Sequence, residues 1–297
     1  MTSAPVIETN QLSKSYRTVE AVHGLNLCVG SSRITGFLGR NGAGKSTTIK
    51  MLLGMLKPTA GGGTVLGKRI DDPAESLELR RQVAYVSEDK RLYAYMTVEQ
   101  MIQFTSSFYT DWRTDVAKTL LKKYELPPGR KVRSLSKGMR TKLALLLALA
   151  RQPALLILDE PSEGLDPFGV EQLLEGLVAQ CSEGTSVFFS SHQIAEVERI
   201  ADHVCILEQG CLVLDASLDD LRQSYRRINL VFACPPDECE FQIAGVESIR
   251  TSGHQMAVFA SGNADAIVER ARDFDASSIE VTPVGLREIF LQTAREG

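Results

Sequence analysis

The chain has 297 residues, 43% of them hydrophobic, which allows one large domain or two smaller ones with a proper core. Its formal charge of −4 gives no electrostatic case for nucleic acid as the main partner. Six scattered cysteines (Cys28, Cys181, Cys205, Cys211, Cys234, Cys239) form no C-x-x-C pair and read as buried or incidental thiols of a reducing cytoplasm. No secretory signal opens the chain, and the longest apolar run, 143–150, is far below the ~20 residues that span a bilayer. A soluble chain that meets a membrane only through a partner is expected.

In chain order, 6–8 and 25–29 read as strands, with Tyr16 between them. Residues 34–38 are a buried strand leading into Gly39-Arg40-Asn41-Gly42-Ala43-Gly44-Lys45-Ser46-Thr47. This is G-x-x-x-x-G-K-[ST], a phosphate-binding loop. Its glycines let backbone N–H groups approach phosphate oxygens where a Cβ would collide. Lys45 brings a mobile positive charge, and the Ser46 hydroxyl can ligate Mg²⁺. Ile49, Leu52, Leu53 and Leu56 then recur at helical spacing until Pro58. Strand, glycine loop and helix N-terminus together make an anion site. Gly61-Gly62-Gly63 predicts a turn before a short strand at 64–66, and 83–86 predicts a strand running into Ser87-Glu88-Asp89.

The pattern then turns helical. Thr97-Val98-Glu99-Gln100 is a capping-box signature, with Met101, Phe104 and Phe108 on one face. Further helices are predicted over 114–124 and from Ser136 to Arg151. The all-apolar strand 155–158 follows, as expected where helices cover both faces of a sheet. A helix near 170–180, a strand at 187–190, a helix holding Ile194, Val197 and Ile200, and a hairpin at 204–214 complete a strand–helix alternation. Residues 216–225 read as a linker helix. Residues 226–297 read as a small α+β appendage with strands at 228–232, 256–260 and 278–281 and helices at 264–272 and 284–294.

Asp159 and Glu160 end the strand 155–158, and ligands of open α/β sheets bind at that end. One carboxylate there can hold Mg²⁺, and the other can orient or deprotonate an attacking water. His192 follows the strand 187–190, where a γ-phosphate contact or a purely structural role are both open. Ser136 is a good N-cap, and the helix it opens offers a second anion-favouring N-terminus.

With these pieces in order, residues 6–215 resemble the ATP-binding subunit of an ABC transporter. Gly39–Thr47 resembles the Walker A loop, and 155–161 resembles Walker B with its catalytic glutamate, Glu160. Leu135-Ser136-Lys137-Gly138-Met139 resembles the signature, usually L-S-G-G-Q, and Gly164-Leu165-Asp166 is similar to the D-loop. His192 aligns with the switch histidine, and Tyr16 stands where an aromatic residue stacks on adenine. Glu88 stands where the family has a glutamine that reaches the metal. The resemblance implies an α/β fold: a P-loop NTPase core of the ABC ATPase type, with an antiparallel β subdomain and an inserted helical subdomain at about 89–152.

It further implies ATP and Mg²⁺ as cofactors. Gly39, Asn41, Gly42, Gly44, Lys45, Ser46, Thr47 and Tyr16 would bind the nucleotide, and so would Ser136, Lys137 and Gly138 from a second subunit. Ser46, Glu88 and Asp159 would hold the metal. Two ATP-binding subunits, identical or paralogous, would pair head to tail and drive integral membrane subunits from the cytoplasmic face of the membrane. Lys137, Met139 and Glu88 depart from the usual pattern in the manner of bacterial export-type subunits, whose C-terminal extension the appendage resembles. The rival reading is a soluble ABC ATPase of DNA or ribosome processes. The chain lacks the long coiled coils of the first and the second cassette of the other. Glu160 and His192 argue against a regulatory pseudo-ATPase.

Overall fold

The computed structural model describes residues 4–293, which divide into two compact units on either side of the Asp215–Ala216 bond. The first unit opens with β1 (Ile7–Tyr16), which pairs antiparallel with β2 (Val19–Leu25) and with the short β3 (Cys28–Val29). Next, β4 (Ile34–Gly39) enters the phosphate loop and α1 (Lys45–Leu52). β5 (Ala60–Val65) and β6 (Lys68–Arg69) return to the antiparallel sheet, in the order β2-β1-β5-β6.

α2 (Pro73–Gln82) leads to β7 (Val83–Val86), and α3 (Val98–Ser106), α4 (Thr114–Lys123) and α5 (Lys137–Leu149) follow. The chain then alternates: β8 (Leu155–Asp159), α6 (Pro167–Ser182), β9 (Ser186–Ser191), α7 (Ile194–Ile200), β10 (His203–Glu208) and its hairpin partner β11 (Cys211–Ser217). The second sheet has the order β11-β10-β4-β9-β8-β7, and its five strands from β10 to β7 are mutually parallel.

All residues of β4, β8 and β9 are buried. The apolar run Leu155–Leu158 of β8, and the apolar centres of β4 and β9, make physical sense because both sheet faces are covered. The antiparallel layer packs its own apolar face, from Ile7, Leu12 and Val22, into the same cluster as Phe37, Ile49 and Phe188. The phosphate loop therefore leaves the middle strand of a sheet that is fixed on both sides.

The second unit holds α8 (Leu218–Ser224), β12 (Arg226–Val231), β13 (Val246–Ser252), β14 (Gln255–Ala260), α9 (Ala264–Asp273), β15 (Ser278–Pro283) and α10 (Leu286–Thr293). Its strands form an antiparallel sheet in the order β13-β14-β12-β15. Its separate core joins Ile228, Leu230, Met256 and Val258 to Phe241 and Ile267.

Several elements differ from expectation. Gly61-Gly62-Gly63 lies inside β5, not in a turn, because β5 runs too close to β1 for side chains. A Cβ on Gly63 would sit 2.5 Å from the Glu8 carbonyl oxygen, and one on Gly61 2.0 Å from that of Gln11. α1 stops at Leu52, and Leu53 to Leu56 turn with Gly54 at φ +61°. Neither α2 nor β13 is anticipated by periodicity. α6 begins at Pro167, earlier than expected, capped by the Asp166 side chain on the Gly169 N–H at 2.6 Å. The expected last residue of α10, 294, lies outside the described residues.

Candidate active site

The phosphate loop takes its shape from two neighbours. Gly44, at φ +104°, is the N-cap of α1, and a Cβ there would meet the Ala21 carbonyl oxygen at 2.4 Å. Only glycine satisfies both the left-handed backbone and the contact with β2. Gly39 ends β4, Asn41 and Gly42 are exposed on the loop, and Lys45, Ser46 and Thr47 form the first turn of α1. The first N–H groups of α1 are thus presented to an anion.

Lys45 is buried, and its Nζ donates to the carbonyls of Gly39 (2.8 Å) and Arg40 (3.3 Å). It also lies 3.4 Å from Glu160 Oε1. The other carboxylate oxygen, Oε2, meets His192 Nδ1 at 2.8 Å. One buried carboxylate therefore joins the loop lysine to a half-exposed histidine. Its Oε1 receives no hydrogen bond. A carboxylate oxygen with acceptor capacity left over beside a phosphate-binding loop has the chemistry of a general base.

Asp159, 2% exposed, accepts a hydrogen bond from Ser190 Oγ at 2.7 Å. The same Ser190 oxygen accepts from the Glu160 N–H at 3.1 Å. The parallel register places Asp159 beside Ser190, so β9 supports both Asp159 and the Glu160 that follows β8. Buried Lys90 donates to the Glu160 carbonyl at 2.9 Å, and burial pulls its ammonium pKa down. Burial also pushes the nearby Glu196 carboxyl up, while Ser162 and Ser191 hydrogen bonds oppose the shift. Sequence reading missed Ser190, Lys90 and Glu196. Only the polar end of an otherwise apolar strand hinted at Ser190.

Ser136 caps α5, its Oγ accepting from the Met139 N–H at 3.2 Å, and Ser136 and Lys137 are exposed. The signature-like segment thus leaves a helix N-terminus open to solvent. Gly138 comes close to the segment after Glu160, since a Cβ there would meet the Gly164 carbonyl oxygen at 2.8 Å. Lys137 Nζ pairs with Glu163 Oε1 at 2.6 Å. Glu88 is exposed on the loop after β7 and lines a cleft with Lys90, Lys137, Arg140 and Glu163. Tyr16 ends β1 with its ring 47% exposed and Lys14 Nζ 5.2 Å from its centroid. Within one chain, then, Lys45, Glu160, His192 and Asp159 form one connected row. Ser136, Lys137 and Gly138 form a second patch with Glu88.

A phosphate loop between a central parallel strand and a helix, with two acids at the end of β8, defines a P-loop nucleotide triphosphatase. The comparisons narrow the class. The ABC transporter family profile matches residues 22–163. The bacitracin transport ATP-binding protein BcrA of Bacillus licheniformis is 30% identical over 98% of this chain and 87% of its own length. The Nod factor export ATP-binding protein I of Neorhizobium galegae is 33% identical over 99% of this chain and 87% of its own. A solved ATP-binding subunit of an ABC transporter shares 32% identity at a TM-score of 0.67, over 73% of this chain and 92% of that one. The chain belongs to the ABC transporter family, as an ATP-binding subunit that hydrolyses ATP.

Proposed function

We propose that the chain powers a membrane exporter, and that it does so by closing on ATP against a second ATP-binding subunit. The observation that carries this is the division of the site. The phosphate loop and the Lys45–Glu160–His192 row lie together. The exposed N-terminus of α5 forms a separate patch. One loop surrounds a triphosphate from one side only. A second subunit facing it head to tail would supply the Ser136 hydroxyl, the Lys137 ammonium and the Gly138 backbone to the γ-phosphate.

The residues divide the work. The α1 N–H groups and Lys45 hold the phosphates, and Tyr16 offers an exposed ring for the adenine. Glu160 accepts the proton of the attacking water. His192 donates Nδ1–H to Glu160 and so fixes the carboxylate, with Nε2 left as the ring's second polar atom. The Ser46 hydroxyl and the buried Asp159 carboxylate are hard oxygen donors that would suit Mg²⁺, whereas Glu88, the third expected ligand, stands in the cleft beside Lys137. That ion would offset charge on the phosphates.

A cleft of about 310 Å³ between β7, α3 and α5 suits a protruding segment of a membrane subunit. Met55, Leu92 and Tyr109 line it, and exposed Tyr93, Tyr95 and Phe108 extend its apolar surroundings. Among the described residues no helix is long and apolar enough to cross a membrane. The transport relatives support a membrane subunit as the pathway. The chain would then sit peripherally on the cytoplasmic face. The Nod factor export relative supports outward transport.

The test is Glu160→Gln. It keeps the phosphate donors and loses the proton acceptor. Turnover is expected to fall about 10²–10⁴-fold. ATP should then accumulate a dimer on size-exclusion chromatography. Wild-type turnover in this variant would overturn the assignment.

A further inference from the structure

The lysine in the signature-like segment is held by its own chain. Lys137 Nζ lies 2.6 Å from Glu163 Oε1, and its stem lies flat across Gly164. A Cβ on Gly164 would stand 2.7 Å from both Cγ and Cδ of Lys137. Thr141 Oγ1 also donates to the Glu163 carbonyl at 3.3 Å, tying α5 to this turn a second time. On its other side the turn is fastened to the catalytic segment, since the Glu163 N–H donates to the Glu160 carbonyl at 3.3 Å. The Glu163 carboxyl is held below the usual range, first by the Lys137 hydrogen bond and then by the charges of Lys137, Lys90 and His192.

We propose that Glu163 is a positioning residue that competes, within one chain, with the γ-phosphate on the facing subunit for the Lys137 ammonium. The inference rests on the two-subunit site argued above. A lysine ammonium is a point charge on a flexible stem and follows the stronger anion. With no nucleotide opposite, that anion is Glu163, and the side chain is folded back along Gly164. A γ-phosphate carries more charge and draws the ammonium across, but the ion pair must break first. Glu163 thereby sets how much ATP is needed to close the dimer. Because Glu163 sits three residues beyond Glu160, release of Lys137 also alters the turn that carries the catalytic carboxylate. A glycine at position 137, the usual signature residue, has no such step.

The experiment uses the full chain in the Glu160→Gln background, with dimer mass followed against Mg-ATP concentration by analytical ultracentrifugation. Adding Glu163→Gln frees Lys137 and should lower the half-saturating ATP about 2- to 5-fold, the range expected for a half-exposed ion pair. Lys137→Met keeps the stem over Gly164 and removes the charge. In that background Glu163→Gln should produce no further shift. Monomer affinity for ATP should be the same in all four proteins. A Glu163→Gln protein that needs the same or more ATP overturns the inference, as does an equal shift with and without the Lys137 charge. Those results leave the two-subunit site standing. Absence of any ATP-dependent dimer in the parent overturns both.

Discussion

Glu160 occupies a backbone position that few residues accept. Its φ of +48° is left-handed, which for a side-chain-bearing residue costs about 1–3 kcal/mol. Ser190 on its N–H and Lys90 and the Glu163 N–H on its carbonyl hold it there. The strain turns the carboxylate between Lys45 and His192. Ser190→Ala should therefore destabilise the fold by about 1–3 kcal/mol in urea unfolding, the cost of unpartnered buried groups. Turnover should fall while ATP affinity holds, because the phosphate loop is untouched. Equal loss of affinity would contradict this division of roles. Lys45→Ala should act earlier, costing about 1.5–3 kcal/mol of ATP binding by calorimetry. Unchanged affinity would remove Lys45 from the phosphate site. Lys45, Asp159, Glu160 and His192 are legible in the sequence as candidates, the last three by residue type just at or after a strand end and Lys45 by its place after the glycine loop at the start of α1. Ser190 and Lys90 are not, because what joins them to Glu160 is strand register and a loop crossing, over separations of 30 and 70 residues.

At the scale of elements, the sequence declares itself where local signals agree with the packing. The capping box of α3 has both of its hydrogen bonds, Thr97 Oγ1 on the Gln100 N–H and Gln100 on the Thr97 N–H. It fails to declare itself where a close approach overrides the local preference. Gly61-Gly62-Gly63 has turn composition, yet β1 draws it into a strand whose positions 61 and 63 leave no room for a side chain. Gly63→Val would push its Cβ against the β1 backbone, which no rotamer change relieves, and should cost about 1–3 kcal/mol. A urea midpoint equal to wild type would show that β1 and β5 can separate freely. α2 starts with Asp72 capping the Ala74 and Glu75 N–H groups and Pro73 at its first position, a signal present in the sequence but masked by the polar run that follows. β13 is hidden because a register shift between Val246 and Ser248 breaks its alternation. The loop after β7 carries Glu88 from the sheet edge to the cleft beside α5. Glu88→Gln should change the ATPase of the assembled transporter more than that of the isolated subunit. No change in either would leave Glu88 a solvated acid.

Among the described residues the two units carry core clusters that share no residue. The phosphate loop, both acids, His192 and the α5 N-terminus all belong to the first. A chain ending at Ser217 keeps β11 complete and should unfold cooperatively and bind ATP. Insolubility or loss of binding would show that residues 218–297 are needed for the first unit to fold. The division of the nucleotide site between two subunits is the account's central claim, and complementation tests it most directly. Lys45→Ala loses the phosphate loop and Ser136→Arg blocks the α5 N-terminus, so neither variant alone should hydrolyse ATP. A mixed head-to-tail dimer would pair the intact loop of one with the intact helix N-terminus of the other. ATPase activity should therefore reappear when the two purified variants are mixed. Activity that stays absent in the mixture, or a Ser136→Arg protein that hydrolyses ATP on its own, would contradict the shared site.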